Sequence, residues 1–442
     1  MSQLRVGFAQ LDITPPLGLP LGGYGGRLAV ADAVFDPLFC RAVVLDDGMA
    51  PIALAVLDII RVLQHWTSRV RARAGEVLGV AADRLLISAT HTHAGPGVFR
   101  SSLRQDPRLQ DYECALVDRV SDCLAAARRA AVGAHLRFGS APAAGIAANR
   151  RDPSLPVDDT VRVLCAHADS GRLLGAVANF ACHPTVLSAT NCSYSADLFG
   201  AAAESAAHRL GAPVLLTNGA AGDVSTRFTR GGQTATEVRR LGDVLARAIC
   251  TAVGRATGLA LSPSERLLGV ALHSLPVTWR RLPTPEIASG RLQAASRALH
   301  RLQAQEADSA SIRLAQSEVE GARAQLWVSS QGGWEAVIGP RPAVAPLQAL
   351  RCGKLAILGV PGELFSSAGR WLQGFLDEQM LVVGYANDYW GYFVPEQEAR
   401  TGGYESLLAM VEPSCEAAIR YGLVTAARSA GCEVAHREGG TE

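Results

Sequence analysis

The sequence predicts an α/β protein: a mixed central β-sheet core flanked by helices, with a helical hairpin inserted late in the chain. Three observations carry this. Residues 52–58, 84–87 and 355–360 are near-continuous apolar runs, the pattern of strands buried on both faces. Stretches with helical periodicity at 67–78, 111–132 and 196–210 alternate with such runs through short links. Residues 285–326 are almost all helix formers, interrupted near 307–311, which reads as an αα-hairpin.

The chain has 442 residues, enough for a large core. We expect residues 1–410 to form one domain with the helical insertion at about 285–330, and 411–442 to form a C-terminal helix and frayed tail. A hydrophobic content of 48% against 19% charged residues excludes a disordered chain. The formal net charge of +1 gives no reason to expect nucleic acid as a partner. Lys354 is the only lysine, so lysine-nucleophile chemistry is set aside.

Taken in order, residues 4–9 and 38–46 read as strands around a loop containing Asp12-Ile13-Thr14-Pro15 and Gly22-Gly23-Tyr24-Gly25. The run at 52–58 ends in Asp58, either a functional acid or the cap of the next helix. Residues 161–167 and 174–180 read as paired strands around an Asp169-Ser170-Gly171 turn, and 214–218 as a short strand. Residues 381–384 lead into a tyrosine-rich segment ending at Tyr392.

The most informative stretch is Thr90-His91-Thr92-His93-Ala94-Gly95-Pro96-Gly97, directly after the strand at 84–88. If the chain is still extended there, His91 and His93 point to the same side. Two imidazoles at a buried strand end suggest a metal ligand beside a proton-transfer partner; the alternative is a pair of loop histidines bonded to backbone. Other buried strands end in His183 and Glu363. Two histidines and a glutamate match the ligand set of hydrolytic zinc sites, but they lie far apart and only the fold can unite them.

Several ordered motifs then converge on one family. They are His91-Thr92-His93-Ala94-Gly95-Pro96-Gly97, Asn149-Arg150, His183-Pro184-Thr185, Gly222-Asp223-Val224-Ser225, Pro361-Gly362-Glu363, and Asn387-x-Tyr389-x-x-Tyr392 with Tyr404-Glu405. Together they resemble the neutral/alkaline non-lysosomal ceramidase family, over its N-terminal catalytic domain. The resemblance implies a catalytic zinc held by His91, His183, Glu363 and Tyr392. It implies that His93 transfers a proton to the leaving amine. It implies that Arg150 and Tyr404 contact the substrate carbonyl, and that Ser225 lies near the reacting amide. Arg151 is a rival to Arg150, and either could instead pair with Asp152. Tyr392 could be a core tyrosine, and Ser225 a loop hydroxyl. Asp58, Asp197 and Asp223 are candidates for orienting the histidines.

The implied function is zinc-dependent hydrolysis of an N-acyl amide by metal-activated water. The substrate is a small-molecule N-acyl amide or lipid-like compound, either ceramide or a non-ceramide metabolite or natural-product intermediate. Family members continue into a C-terminal β-sandwich, whereas this sequence ends soon after Tyr404; we expect a short member without it. Two other classes stay open: a metal-independent hydrolase using Ser225 or Cys182, although no Gly-x-Ser-x-Gly elbow is present, and a non-catalytic binding protein on the same fold. The ten cysteines show no C-x-x-C, no signal-peptide pattern opens the chain, and no apolar run reaches membrane-spanning length. These point to a cytoplasmic protein with free thiols. A homo-oligomer is left open. The segment 99–103, just past the histidines, is a candidate lining for the substrate entry.

Overall fold

The computed structural model describes residues 4–25, 27, 29–99, 106–259, 268–339, 341–376 and 379–434. The candidate entry segment beyond Phe99 and the tail beyond 434 lie outside these residues.

The alternating strands sort into three mixed sheets. The first holds β1 (Arg5–Asp12), β2 (Phe39–Asp46), β3 (Ile52–Leu57) and β4 (Leu85–Ala89), in the order β4-β3-β2-β1, with Val132–Gly133 on the far edge. Its helices are α1 (Gln64–Leu78) and α2 (Pro107–Arg129). The second holds β5 (His135–Pro142), β6 (Thr160–His167), β7 (Leu173–Phe180) and β8 (Val214–Asn218), in the order β8-β7-β6-β5, with Thr257–Gly258 beyond β5. Its helices are α3 (Asp197–Leu210) and α4 (Ala235–Gly254). The third holds β9 (Leu268–Pro276), β10 (Val344–Cys352), β11 (Leu355–Gly359) and β12 (Met380–Val383), in that order. It comes with the insertion helices α5 (Pro285–Ala304) and α6 (Ser309–Ser330), then α7 (Ser366–Gln373), α8 (Tyr404–Leu408) and α9 (Ser414–Ser429).

Alternation explains how the three layers join. In β3, Leu54 and Val56 face one way and Ala53, Ala55 and Leu57 the other. The outward residues pack under α1 and α2. The inward ones meet Leu164, Val177 and Leu215 of the second sheet and Leu350, Ile357 and Leu381 of the third in one shared core. The other sheets repeat this, with α3 and α4 covering the second and α7 and α9 the third. Strands such as β3, β4, β8 and β11 are therefore buried on both faces, which is why they read as continuous apolar runs, while β1, β5 and β9 leave residues exposed.

Each sheet ends in one parallel pair joined by one helix: β3-α1-β4, β7-α3-β8 and β11-α7-β12. The remaining main-strand neighbours are antiparallel. Crevices form outside the carboxyl ends of such parallel strands, and here three of those ends meet.

Helix boundaries follow local chemistry. Asp106 caps α2 through Arg108 N at 3.0 Å, with Pro107 in the first turn. Thr234 and Glu237 open α4 with the spacing of a capping box. The expected break in the hairpin is there, and Asp308 restarts α6 by accepting from Ser311 N at 2.9 Å. The hairpin lies on α8: Gln325 Nε2 donates to Leu407 O at 3.2 Å, and a Cβ at Gly321 would stand 3.2 Å from Tyr404 Cα. Among the described residues no helix is long and apolar enough to cross a membrane.

Candidate metal centre and active site

The three strand ends are stitched together by backbone groups and one buried amide. Ala89 N donates to Tyr385 O at 3.3 Å, and Asn387 N to Ile87 O at 2.7 Å, joining the first sheet to the third. Gly384 N donates to Asn218 O at 2.9 Å, joining the third to the second. The Asn218 side chain closes the circuit, with Nδ2 donating to Thr90 O at 3.1 Å and Cys182 O at 3.0 Å. The frame is dry, hydrogen-bonded and preorganised.

The chain is not extended at the histidine pair. β4 ends at Ala89, and His91 sits in the left-handed region at φ 69°. The same-side argument from strand alternation therefore does not apply. The imidazoles meet because the chain turns: His91 N bonds to Ile59 O at 3.1 Å, and Thr92 Oγ1 donates to Ser195 O at 2.7 Å. The His91 and His93 ring centroids lie 4.9 Å apart, nearly perpendicular. Gly23 makes room for His93, since a Cβ there would stand 2.5 Å from its Cγ.

His91 and His183 share one arrangement. His91 Nδ1 donates to Ile60 O at 2.6 Å, and His183 Nδ1 donates to Ala221 O at 2.7 Å. Each bond fixes the tautomer and turns the Nε2 lone pair inward. Glu363 Oε2 lies 2.9 Å from His183 Nε2 and 3.7 Å from His91 Nε2. With its proton on Nδ1, His183 Nε2 has no hydrogen-bond partner and faces a carboxylate oxygen, acceptor against acceptor. Only a cation or a proton between them removes that repulsion, so these residues fit a metal. Burial drives His91 down to about 3, and burial holds His93 and His183 well below the usual histidine range. All three are neutral at pH 7, the protonation state a metal ligand needs.

His93 stands with them, and the ligand nitrogens of His91, His93 and His183 lie within 4.8 Å of one another. Neither ring nitrogen of His93 has a partner among the described residues. Tyr24 meets its ring edge-on at 4.9 Å.

Glu363 and Tyr392 are direct neighbours in a short parallel pairing of Glu363–Leu364 with Tyr392–Phe393. Tyr389 OH donates to Glu363 Oε1 at 2.5 Å and Tyr385 OH to Oε2 at 3.4 Å. Tyr385 also stacks on His91 with centroids 4.1 Å apart. The Tyr392 oxygen accepts from Arg150 Nη2 at 3.0 Å. Burial, then the Glu363 charge, pushes all three phenols well above the usual tyrosine range.

Arg150 is pinned by Glu405 Oε1 at 2.7 Å and by Gly222 O at 2.8 Å. Its guanidinium lies 5.9 Å from the Tyr404 ring. Burial pushes the Tyr404 phenol up to about 12. Arg151 points elsewhere, held by the second Glu405 oxygen at 3.2 Å, by Thr401 Oγ1 at 2.9 Å and by Gly402 O at 2.9 Å. Asp152 accepts from Ser154 and pairs with neither arginine. Ser225 is buried and bridges to His183 through the backbone, and its Oγ accepts from Arg227 N at 3.2 Å. Cys182 is buried, and burial pushes its thiol well above the usual range.

The three acids proposed to orient the histidines do not reach them. Asp58 holds Arg41 at 2.7 Å and Phe39 N at 3.0 Å. Asp197 accepts from the amides of Val186, Leu187 and Leu198. Asp223 accepts from Asn149 Nδ2 and from Ser366 N and Oγ. Backbone carbonyls orient the rings instead. Sequence reasoning missed these carbonyls, along with Asn218 and Tyr385, and gave Glu405, named within a motif, no role. The only local signal was the density of tyrosines between 385 and 392.

Residues 4–218 match the family model for neutral/alkaline non-lysosomal ceramidase, N-terminal. A solved structure described as ceramidase complexed with C2 aligns with TM-score 0.74 at 18% identity, over 100% of this chain and 78% of that one. The neutral ceramidase from Pseudomonas aeruginosa aligns with TM-score 0.73 at 21% identity, over 100% of this chain and 77% of that one. Residues 4–218 are thus similar to the N-terminal domain of the neutral/alkaline non-lysosomal ceramidases, and the whole chain shares its fold with solved ceramidases.

Proposed function

We propose that the protein is a zinc-dependent amide hydrolase acting on an N-acyl amide, either ceramide or a non-ceramide metabolite. The observation that carries the reading is the bare His183 Nε2 facing Glu363 Oε2 at 2.9 Å, with the ring proton already committed to Ala221 O. His91, His183 and Glu363 would hold the zinc, with the Tyr392 oxygen completing the set. Bound there, zinc would bring the pKa of a coordinated water to about 7 and polarise the amide carbonyl.

The other residues then have separate tasks. His93 is neutral and has both nitrogens free among the described residues, so it takes a proton from the attacking water and passes it to the leaving amine. Arg150, positioned by Glu405, faces the developing oxyanion with a permanent positive charge. Tyr404 keeps its proton at pH 7 and donates to the same oxygen. Ser225, beside His183, holds the substrate amide. Two features weigh against a serine or cysteine nucleophile: among the described residues Ser225 Oγ is bonded to Arg227 N and to no histidine nitrogen, and the Cys182 thiol stays protonated.

Elemental analysis of the purified protein beside His91→Ala and His183→Ala tests the reading, together with hydrolysis of N-acyl amides before and after chelation. We expect about one zinc per chain, lost in both variants, and turnover that chelation abolishes and zinc restores. A wild-type protein that takes up no zinc, with activity blocked by covalent serine or thiol reagents, overturns it.

A further inference from the structure

The turn after Ser225 carries two arginines with no part in the chemistry above. Thr226 O accepts from Thr229 N at 3.1 Å and from Arg230 N at 2.9 Å, closing one turn that presents Arg227 and Arg230 beside the site. Arg227 Nη1 donates to Arg150 O at 3.2 Å, and Arg230 Nη1 donates to Thr185 O, two residues past His183. Both side chains are half-buried. Neither makes an ion pair with a carboxylate within 4.0 Å among the described residues. One carbonyl each leaves most of their five N–H donors unused.

The surrounding charges do not compensate them. Arg150 and Arg313 face Arg227, and Arg313 faces Arg230 as well. The acids near Arg227 are Glu405, shared between Arg150 and Arg151, and Glu320, paired with Arg313 at 3.2 Å. Arg230 faces Asp197, whose oxygens already serve three backbone amides, and the protonated Tyr24 and Cys182. Burial, then repulsion from Arg150 and Arg313, pulls Arg227 down to about 10, still charged at pH 7. Half-buried guanidiniums with like-charged neighbours and no free counter-ion favour an anion. Tyr24 gives the direction: its ring packs against His93, the group assigned to the leaving amine, and it lies in the field of Arg230.

We infer that Arg227 and Arg230 form an anion-binding subsite for a carboxylate on the amine half of the substrate, which makes an N-acyl amino acid a better ligand than a neutral N-acyl amide. The inference rests on the amide-hydrolase reading for its substrate, but its test does not require turnover. Zinc-loaded full-length protein is titrated with dodecanesulfonyl-glycine and dodecanesulfonyl-ethanolamine, hydrolysis-resistant sulfonamides that differ in the charged end. We expect the glycine compound to bind about tenfold tighter, with the ratio narrowing as salt rises. In R227Q/R230Q the ratio should collapse to within about twofold, and in R227K/R230K much of it should survive. A wild-type ratio near one, failure of both ligands to bind, or a ratio that persists in R227Q/R230Q overturns the subsite. The wild-type ratio needs no variant, and single R230Q replaces the double variant if circular dichroism shows that the double variant is unfolded. Hydrolysis of N-dodecanoylethanolamine is followed alongside. Turnover without charge preference sinks only the subsite, and preference without turnover sinks only the hydrolase reading.

Discussion

His91 and His183 reach the site by one device but on different backbones. Each follows a strand of a parallel pair, and each gives its Nδ1 proton to a carbonyl just past the neighbouring strand, Ile60 beyond β3 and Ala221 beyond β8. His183 continues regular pairing: its amide bonds to Val224 O at 2.9 Å and it bridges to Ser225. His91 sits instead at φ 69°, Tyr385, which stacks on it, at φ 55°, and Asn387, bonded to Ile87 of β4, at φ 66°. Left-handed backbone costs a non-glycine residue about 1–2 kcal/mol. His91 itself is in the strained region whereas His183 is not; on the His183 side the left-handed residue is Asp197 at φ 51°, which holds the Val186 and Leu187 amides. The two proposed ligands therefore share one orienting device on two backbones, one in regular pairing and one in a left-handed turn.

The sharpest way to break this comparison is to remove each ring. His91→Ala and His183→Ala should both abolish zinc retention and lower amide turnover by about three orders of magnitude or more. Retention of zinc by one variant, measured by elemental analysis, would show that the two halves are not equivalent ligands. Next in size is Tyr389→Phe, which takes a hydrogen bond from Glu363 Oε1. It should weaken zinc affinity about 10–100-fold in chelator competition, and Tyr385→Phe, whose bond is longer and whose ring stack on His91 is kept, should do less.

Gly23→Ala probes the strained half without touching a ligand. The added methyl meets His93, and the residue sits at φ 91°, so urea unfolding should show a loss of about 1–3 kcal/mol. Turnover should fall while zinc content holds; loss of both would mean that His93 also supports the metal. The smallest effect is in pH. The folded metal-free protein keeps His91, His93 and His183 neutral, whereas the unfolded chain protonates its histidines near the ordinary value of about 6.5. The unfolded state binds more protons below that value, so stability is lost as pH falls through it. Urea midpoints of the chelated protein should drop between pH 7.5 and 5.5, and His91→Asn should shallow the slope. A flat profile would contradict the neutral histidines.

Much of this was legible in the chain, for a physical reason. A strand buried on both faces has no use for an ionisable group at its end unless that group has work to do, so His91, His183 and Glu363 stood out against their apolar runs. The helices α1, α2 and α3 and the hairpin were equally plain, because caps and helical periodicity are local, whereas α4 and α7 were not read from the sequence. The division into three sheets was not legible, since an apolar strand looks the same whichever sheet receives it. Nor were the groups that orient the rings. A carbonyl such as Ile60 O carries no side-chain signal, and the visible carboxylates of Asp58, Asp197 and Asp223 were already taken by Arg41, Asn149, Ser366 and backbone amides. The left-handed turn at His91 was hidden because nothing in His-Thr-His marks it, whereas a glycine would have.

Asn218, the amide that closes the circuit between strand ends, is followed by Gly219. An Asn-Gly pair is the sequence most prone to spontaneous deamidation, in which the glycine nitrogen attacks the side-chain carbonyl. In the fold that nitrogen donates to Phe180 O at 2.9 Å, and Asn218 Oδ1 accepts from Cys182 N at 3.2 Å. The same bonds that assemble the centre thus protect it from chemical ageing. A chain that ages while unfolded would carry an aspartate or isoaspartate there and lose the side-chain donors to Thr90 and Cys182, the direct link between the first and second sheets.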